Sequence, residues 1–176
     1  MVNYIFYGLV TSAVSFGYSL LLYALGYHGE KIEQAALLGS FSYVIIIIGL
    51  ILGIREARKE VLEESKVFSY GSGFKAGSLI SVFMAIGNAV FSYIYIAFIN
   101  PSMVDAMIEF QGQKMIEKGV AQEQIAAMEN MSRTMSQPPI QALSALIGTI
   151  IIGILLTLII AIFMRTRREA AAELAE

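Results

Sequence analysis

The chain has 176 residues, carries a formal net charge of −2 and contains no cysteine. This length suits one domain, and the lack of cysteine excludes disulfides, thiolate metal sites and cysteine nucleophiles. The slightly acidic balance gives no basic excess for nucleic acid, so we predict no nucleic-acid partner.

The distribution of charge is the strongest structural signal in the sequence. Every charged residue falls within 30–33, 55–75, 105–133 or 165–176. The four charge-free stretches that alternate with these clusters each exceed the roughly 20 apolar residues needed to cross a hydrocarbon core. A soluble helix keeps a polar face toward water. We therefore predict an all-α integral membrane bundle of four transmembrane helices, forming a single membrane domain over residues 1–176.

In chain order, the first two predicted spans form a hairpin closed by a short loop at 28–31, and a short polar helix follows over 55–66. Ser69 to Gly73 are predicted to form a turn into the third span. Asn100 ends that span, because a residue before proline is disfavoured in the helical region. The predicted spans are residues 4–27, 35–54, 74–99 and 139–164.

Residues 102–137 form the longest polar segment and lie between the third and fourth spans. We predict a two-helix insert here, with amphipathic helices at 103–118 and 121–135. Gly119 is predicted to stop the first of them, since glycine is the usual residue just beyond a helix end.

Lysine and arginine counts predict the orientation. Loop 55–75 and the tail 165–176 hold eight of them, whereas the two opposite loops hold four. Cytoplasmic loops carry the excess of Lys and Arg. We therefore predict that loop 55–73, the tail and the N-terminus are cytoplasmic, and that the insert is extracytoplasmic.

Small and polar residues recur at helical spacing in every span. The most polar residue near the middle of a span is Asn88, and Ser81, Ser92 and Thr149 complete a candidate intramembrane polar site. One interpretation is a substrate or ion pathway. The other is a packing seam, because small residues let transmembrane helices approach closely and polar side chains bond across them.

Apart from Lys75 at the start of the third, the predicted spans contain no Asp, Glu, Lys or Arg, and the one histidine, His28, is expected to be solvated in its loop. Proton-coupled transporters generally need a titratable group inside the membrane. Hydrolytic sites need a nucleophile with a base, or a metal. We therefore predict a protein that is not an enzyme and that uses no cofactor.

Two surface features complete the candidates. Arg55, Arg58, Lys59 and Lys75 lie where cationic side chains reach lipid headgroups. Met128, Met131 and Met135 share one face of the predicted insert. Thioethers suit Cu(I), so these residues are weak metal candidates, but a flexible apolar face for a membrane or a protein partner is the plainer interpretation.

Three short motifs resemble a known family. They are Gly53-Ile54-Arg55 with Arg58-Lys59, the segment FSYGSGFKAG at 68–77, and two pieces of the insert, IEKG at 116–119 and QEQIA at 122–126. Together they resemble the bacterial membrane family catalogued as domain of unknown function 4199, over nearly the whole chain. The resemblance implies four membrane helices in a bacterial inner membrane and assigns no activity.

The function predicted from these features is that of a non-enzymatic structural or interaction subunit. Its partners would be membrane lipids, together with a second copy of the chain or another membrane protein. The alternative is a small transporter, channel or lipid-binding membrane protein whose pathway follows Asn88. A cavity around Asn88 would favour the alternative, and a dry seam would favour packing.

Overall fold

The computed structural model describes residues 3–29, 31–64 and 67–166, so the predicted tail beyond Thr166 lies outside the described residues. The described part of the chain is all α-helical, as predicted, and contains no strand. A π-helical turn, Tyr95–Ile99, continues the fourth helix. The α-helices are α1 (Tyr4–Ala24), α2 (Ile32–Gly39), α3 (Phe41–Glu63), α4 (Tyr70–Ile94), α5 (Met103–Glu117), α6 (Gln122–Met135) and α7 (Pro138–Met164).

Four helical stretches are long and apolar enough to cross a membrane, which confirms the predicted number of spans. They are Tyr4–Ala24, Ile32–Glu63, Tyr70–Ile99 and Pro138–Met164. Large apolar side chains cover their outer faces; Phe163 is 82% exposed and Phe98 is 74% exposed. Helices that are apolar all round need an apolar surrounding, so this surface suits lipid.

The second span differs from its prediction in two places, at a break near Ser40 and beyond its predicted end at residue 54. It is broken near Ser40, whose hydroxyl donates to the Leu37 carbonyl at 2.5 Å. Serine competes for nearby backbone groups in this way and weakens a helix locally. Beyond the break, α3 runs without interruption to Glu63, so a separate polar helix at 55–66 is wrong. Arg, Lys and Glu are good helix formers, and the helix therefore continues past the end of its apolar run.

The turn predicted at 69–73 is also wrong, because the fourth helix already begins at Tyr70. Ser69 is its N-cap: the Ser69 hydroxyl accepts a hydrogen bond from the Ser72 N–H at 3.1 Å. A serine in this position satisfies one of the free N–H groups of the first turn. The glycines that suggested a turn lie inside the first turns of α4.

Two glycines end helices through positive φ angles. Gly26, with φ 82°, follows α1, which therefore ends at Ala24 rather than at residue 27. Gly119, with φ 72°, separates α5 from α6 at the predicted position. Glycine adopts this left-handed conformation without the steric penalty that a Cβ would bring.

Helix α4 lies at the centre of the bundle and packs against α1, α3 and α7. The hydrophobic core is concentrated in one half of the bundle, around the fully buried side chains of Leu50, Ile54, Ile80 and Met84. This half contains the start of α4 and the second half of α3. The opposite half has fewer buried side chains, and the candidate site lies there.

The half of the bundle that contains the hydrophobic core ends where the link between α3 and α4 meets the end of α7. The Thr166 N–H donates to the Phe68 carbonyl at 2.9 Å, and the Phe68 N–H donates to Thr166 Oγ1 at 3.1 Å. These bonds bring Arg165 to the same end of the bundle as Arg55, Arg58 and Lys59. We call this end, defined by these four residues, the basic end.

At the other end, α5 and α6 form the hairpin predicted for the insert. Ile108 and Ile125 are buried between the two helices, and Arg133 bonds to Asp105 at 2.6 Å. Lys114 joins α5 to α2 through Glu33 at 2.7 Å, and this hydrogen bond raises the pKa of Lys114. Both ion pairs are exposed, so they position the hairpin more than they stabilise it.

Candidate functional site

The stripes of small residues are mostly packing seams in which a glycine of one helix faces a hydroxyl residue of another. Gly153 of α7 lies against Ser81 of α4, and Gly87 of α4 lies against Ser12 of α1; a Cβ at either glycine would overlap its partner. Small residues at such crossings let helix backbones approach. The packing interpretation of the stripes therefore holds at these positions.

Ser81 belongs to a seam and not to a polar site. It is completely buried, and its hydroxyl donates to the Gly77 carbonyl of its own helix at 2.8 Å. A hydroxyl satisfied by the preceding turn has no donor left for a ligand. Among the four predicted site residues, Ser81 is the one that the structure separates from the rest.

Asn88, Ser92 and Thr149 do come together. The Asn88 Nδ2 group donates to Thr149 Oγ1 at 3.1 Å and so links α4 to α7. These three residues line a groove of about 340 Å³ in the half of the bundle nearer the insert. We call it the Asn88 groove; its other lining residues are Ser15, Phe16 and Ser19 of α1, Phe91, Tyr95 and Ile96 of the third span, Met103 of α5, and Gln141 and Ala145 of α7.

The lining of the Asn88 groove is uncharged and combines polar groups with a larger apolar surface. Hydroxyl and amide groups alternate with apolar side chains, and Phe16 stacks on Phe91 with ring centroids 4.6 Å apart. The Ser15 hydroxyl is buried and has no hydrogen-bond partner among the described residues. A buried polar group without a partner is costly in an apolar medium. The groove can therefore offer hydrogen bonds to an uncharged molecule.

A hydrogen-bonded network of side chains lies beside this groove and shares Tyr95 with its lining. Asn100 Nδ2 donates to the Tyr95 hydroxyl at 3.1 Å, and the Ser102 hydroxyl donates to Asn100 Oδ1 at 3.0 Å. The Tyr95 hydroxyl lies 2.5 Å from His28 Nδ1. The tautomer of His28 sets the direction of this bond: an unprotonated Nδ1 accepts from the Tyr95 hydroxyl, and a protonated Nδ1 donates to it.

His28 is therefore not the solvated residue that was expected. It is half-buried beside the Tyr95 ring, and burial lowers its pKa. Tyr95 begins the π-helical turn, in which the Asn100 N–H reaches back to the Tyr95 carbonyl at 2.8 Å. Such π-helical turns are frequent at functional sites. The sequence gives no signal for the contact between His28 and Tyr95, because 67 positions separate these two residues.

At the basic end, three of the four predicted headgroup residues share one cavity. Arg55, Arg58 and Lys59 line a space of about 760 Å³ along α3, next to Tyr7 of α1. Lys75 lies on α4, is exposed, and is not part of this cavity.

Met128, Met131 and Met135 lie on α6 and are 38%, 62% and 51% exposed. The described residues include no cluster of His, Asp or Glu that could hold a metal ion. Copper binding by these three thioethers stays a prediction. Their exposure makes them an apolar surface on the insert.

The family described as "Protein of unknown function (DUF4199)" matches residues 6–166. This range covers all four spans and the insert, as the resemblance implied. No curated protein and no solved structure matches the chain.

Proposed function

The chain belongs to the DUF4199 family, and we propose that it is a membrane protein that binds an uncharged amphiphilic molecule, such as a neutral lipid, in the Asn88 groove. In this proposal the protein catalyses no reaction and needs no cofactor. Its location is a bacterial inner membrane, and its partners are membrane lipids rather than nucleic acid. This corresponds to the lipid-binding alternative predicted from the sequence.

The observation that carries the proposal is the polar groove around Asn88. A seam would be filled by side chains, as it is at Ser81 and Gly153. The space beside Asn88 instead measures about 340 Å³, which falls within the roughly 300–1,000 Å³ of small-molecule sites. Asn88, with one amide N–H engaged by Thr149, keeps a second N–H and its carbonyl oxygen for a ligand.

The lining favours an uncharged ligand. No Asp, Glu, Lys or Arg lines the groove, and a charge inside a span without a partner would be strongly disfavoured. A hydroxyl or carbonyl head group could bond to Asn88 and Ser15, while an apolar chain would lie along Phe16, Phe91 and Ile96. The lining contains no acidic side chain, lysine, arginine or histidine, which argues against proton-coupled transport through this groove.

Native mass spectrometry of protein extracted gently from its own membrane tests the proposal. Ala145→Phe adds bulk inside the groove, and Ile147→Phe adds similar bulk to the exposed face of the same helix. We expect the wild-type protein and Ile147→Phe to retain the same uncharged small molecule, and Ala145→Phe to lose it. A thermal unfolding midpoint for each variant verifies that it is folded.

Two results would count against the groove. If the wild-type protein carries no small molecule, the proposed ligand does not exist. If the folded Ala145→Phe variant retains the molecule equally well, the ligand binds outside the groove.

The orientation is also part of the proposal. The basic end would face the cytoplasm with both termini, and the insert would lie outside. The clustering of Arg55, Arg58, Lys59 and Arg165 at one end supports this, because cytoplasmic ends carry the excess of Lys and Arg.

A second candidate function is that of an interaction subunit, and the exposed methionine face of α6 favours it. Flexible thioether side chains adapt to varied partner surfaces, and Met131 is the most exposed of the three. The partner that binds this methionine face would be a second copy of the chain or another membrane protein. Met131→Glu together with Met135→Glu should then dissociate the complex, as measured by native mass spectrometry. An unchanged mass would exclude this face as the contact.

A further inference from the structure

The cavity at the basic end is a second possible binding site, and it is independent of the Asn88 groove. It lies between α3 and the first turn of α1, at the opposite end of the bundle. Its wall combines cations, Arg55, Arg58 and Lys59, with the apolar side chains of Leu52 and Leu62. Leu52 precedes Arg55 by one helical turn, so the wall changes from apolar to cationic along α3.

Arg58 gives this cavity its specificity. The side chain is half-buried, and its Nε atom is buried without a hydrogen-bond partner among the described residues. A guanidinium N–H that is removed from water needs an acceptor, since an unsatisfied buried charge donor is strongly disfavoured. Among the described residues, this cationic side chain therefore has a donor that lacks an acceptor.

Among the described residues, no carboxylate accepts a hydrogen bond from Arg58 Nε. Glu56 and Glu63 line the same cavity, yet Arg58 Nε bonds to neither.

We infer that this cavity binds the phosphate group of an anionic lipid. The Arg58 guanidinium donates to the phosphate oxygens, and the charges of Arg55 and Lys59 attract the phosphate along α3. The acyl chain of the lipid continues from the phosphate toward Leu52 and Tyr7. Arginine suits this role because its planar fork of donors matches phosphate geometry.

A lipid is favoured over a soluble phosphate because of the position of the cavity. Arg55 directly follows the charge-free stretch 34–54, where a cationic side chain reaches the headgroup layer. The carboxylates of Glu56 and Glu63 would repel a freely diffusing multivalent anion more than a monoanionic phosphodiester anchored by its chain.

The test compares the full chain in nanodiscs of phosphatidylcholine with and without phosphatidylglycerol, which carries one phosphodiester charge. Titrating phosphatidylglycerol while following the thermal unfolding midpoint gives an apparent affinity. A third arm adds inorganic phosphate to phosphatidylcholine nanodiscs. The variants are Arg58→Gln, Arg58→Lys and, as a matched control for loss of one exposed charge, Lys75→Gln.

We expect phosphatidylglycerol to stabilise the wild-type protein and Lys75→Gln equally. Arg58→Gln should weaken the apparent affinity about tenfold, which corresponds to one lost charge-assisted hydrogen bond. Arg58→Lys should recover only part of the lost affinity, because lysine restores the charge but not the guanidinium geometry.

Equal weakening by Arg58→Gln and Lys75→Gln would overturn the site, since it would show diffuse attraction to an anionic surface. An unchanged response of Arg58→Gln would overturn it as well. Stabilisation by inorganic phosphate alone that requires Arg58 would support the phosphate site and identify a soluble anion as its source. Retention of a neutral molecule in the Asn88 groove is measured separately and does not depend on any of these results.

Discussion

Asn88 and Thr149 join α4 to α7 through a hydrogen bond of 3.1 Å from Asn88 Nδ2 to Thr149 Oγ1. The bond lies at the wall of a groove rather than inside a closed seam. It therefore has two roles, since it holds two central helices together and orients the remaining Asn88 donor and acceptor toward the groove.

A double-mutant cycle with Asn88→Leu and Thr149→Val measures the contribution of this bond to stability. Interhelical hydrogen bonds in membranes are worth about 0.6 kcal/mol on average and about 1.7 at most. We expect a coupling energy within that range, measured by unfolding in detergent. Additive effects of the two substitutions would show that the bond contributes nothing.

The contact between Gly153 and Ser81 predicts a sensitive position in α7. A Cβ at residue 153 would lie 2.6 Å from Ser81 Cβ, and forcing extra atoms into a packed site typically costs about 1–3 kcal/mol. Gly153→Ala should therefore lower the free energy of unfolding by about this amount.

Gly148, on the same helix, is the control for Gly153. A Cβ there would meet nothing within 4 Å, so Gly148→Ala should be neutral or stabilising by up to about 1 kcal/mol through helix propensity. Equal responses at the two positions would contradict the seam between α4 and α7.

The contact between His28 and Tyr95 predicts a dependence of stability on pH. Burial lowers the pKa of His28 below its ordinary value of 6.5, so the unfolded chain binds the proton more tightly. The stabilisation is complete above 6.5 and is lost as pH falls through that value toward the lower pKa of the folded state.

Unfolding midpoints at about pH 7.5 and about pH 5.5 test this, because carboxylates stay mostly ionised over that range. The wild-type protein should be less stable at the lower pH, and His28→Gln should remove most of the difference. A wild-type protein that is equally stable at both values would contradict the buried neutral histidine.

The orientation can be tested with single cysteines, since the chain has none of its own. Gln124→Cys lies on the exposed surface of the insert, and Val67→Cys is exposed beside the basic end. A membrane-impermeant maleimide applied outside intact cells should label residue 124 at once and residue 67 only after permeabilisation. The reverse pattern would invert the proposed topology.

The parts of the fold that could be predicted from the sequence depend on the lengths of the charge-free stretches and on the glycines that end helices. The four spans follow from stretches such as 134–164, and the division of the insert follows from Gly119. The start of α4 was missed because the two glycines of the segment 69–73 suggested a turn, whereas Ser69 acts as an N-cap. The length of α3 was missed because charge marks the end of an apolar run and not the end of a helix.

The candidate site, like the fold, could be predicted only in part from the sequence. Asn88 and Thr149 were recognisable as the polar residues near the middle of two spans. Helical spacing could not separate Ser81 from Ser92, because the rotation of each helix against its neighbours decides which serine faces a glycine. The contacts of His28 and Ser15 depend on residues distant in sequence, so one chain without its fold does not reveal them.

The central claim is that the Asn88 groove admits a membrane amphiphile, and a single tryptophan measures this most directly because the chain has none. Ile96→Trp places the reporter in the groove, Phe98→Trp faces lipid, and Phe68→Trp is shielded. In bilayers of lipids with brominated acyl chains, we predict that the fluorescence at residue 96 is quenched nearly as strongly as at residue 98. Quenching at residue 96 as weak as at residue 68 would contradict the claim, because lipid chains would then be excluded from the groove.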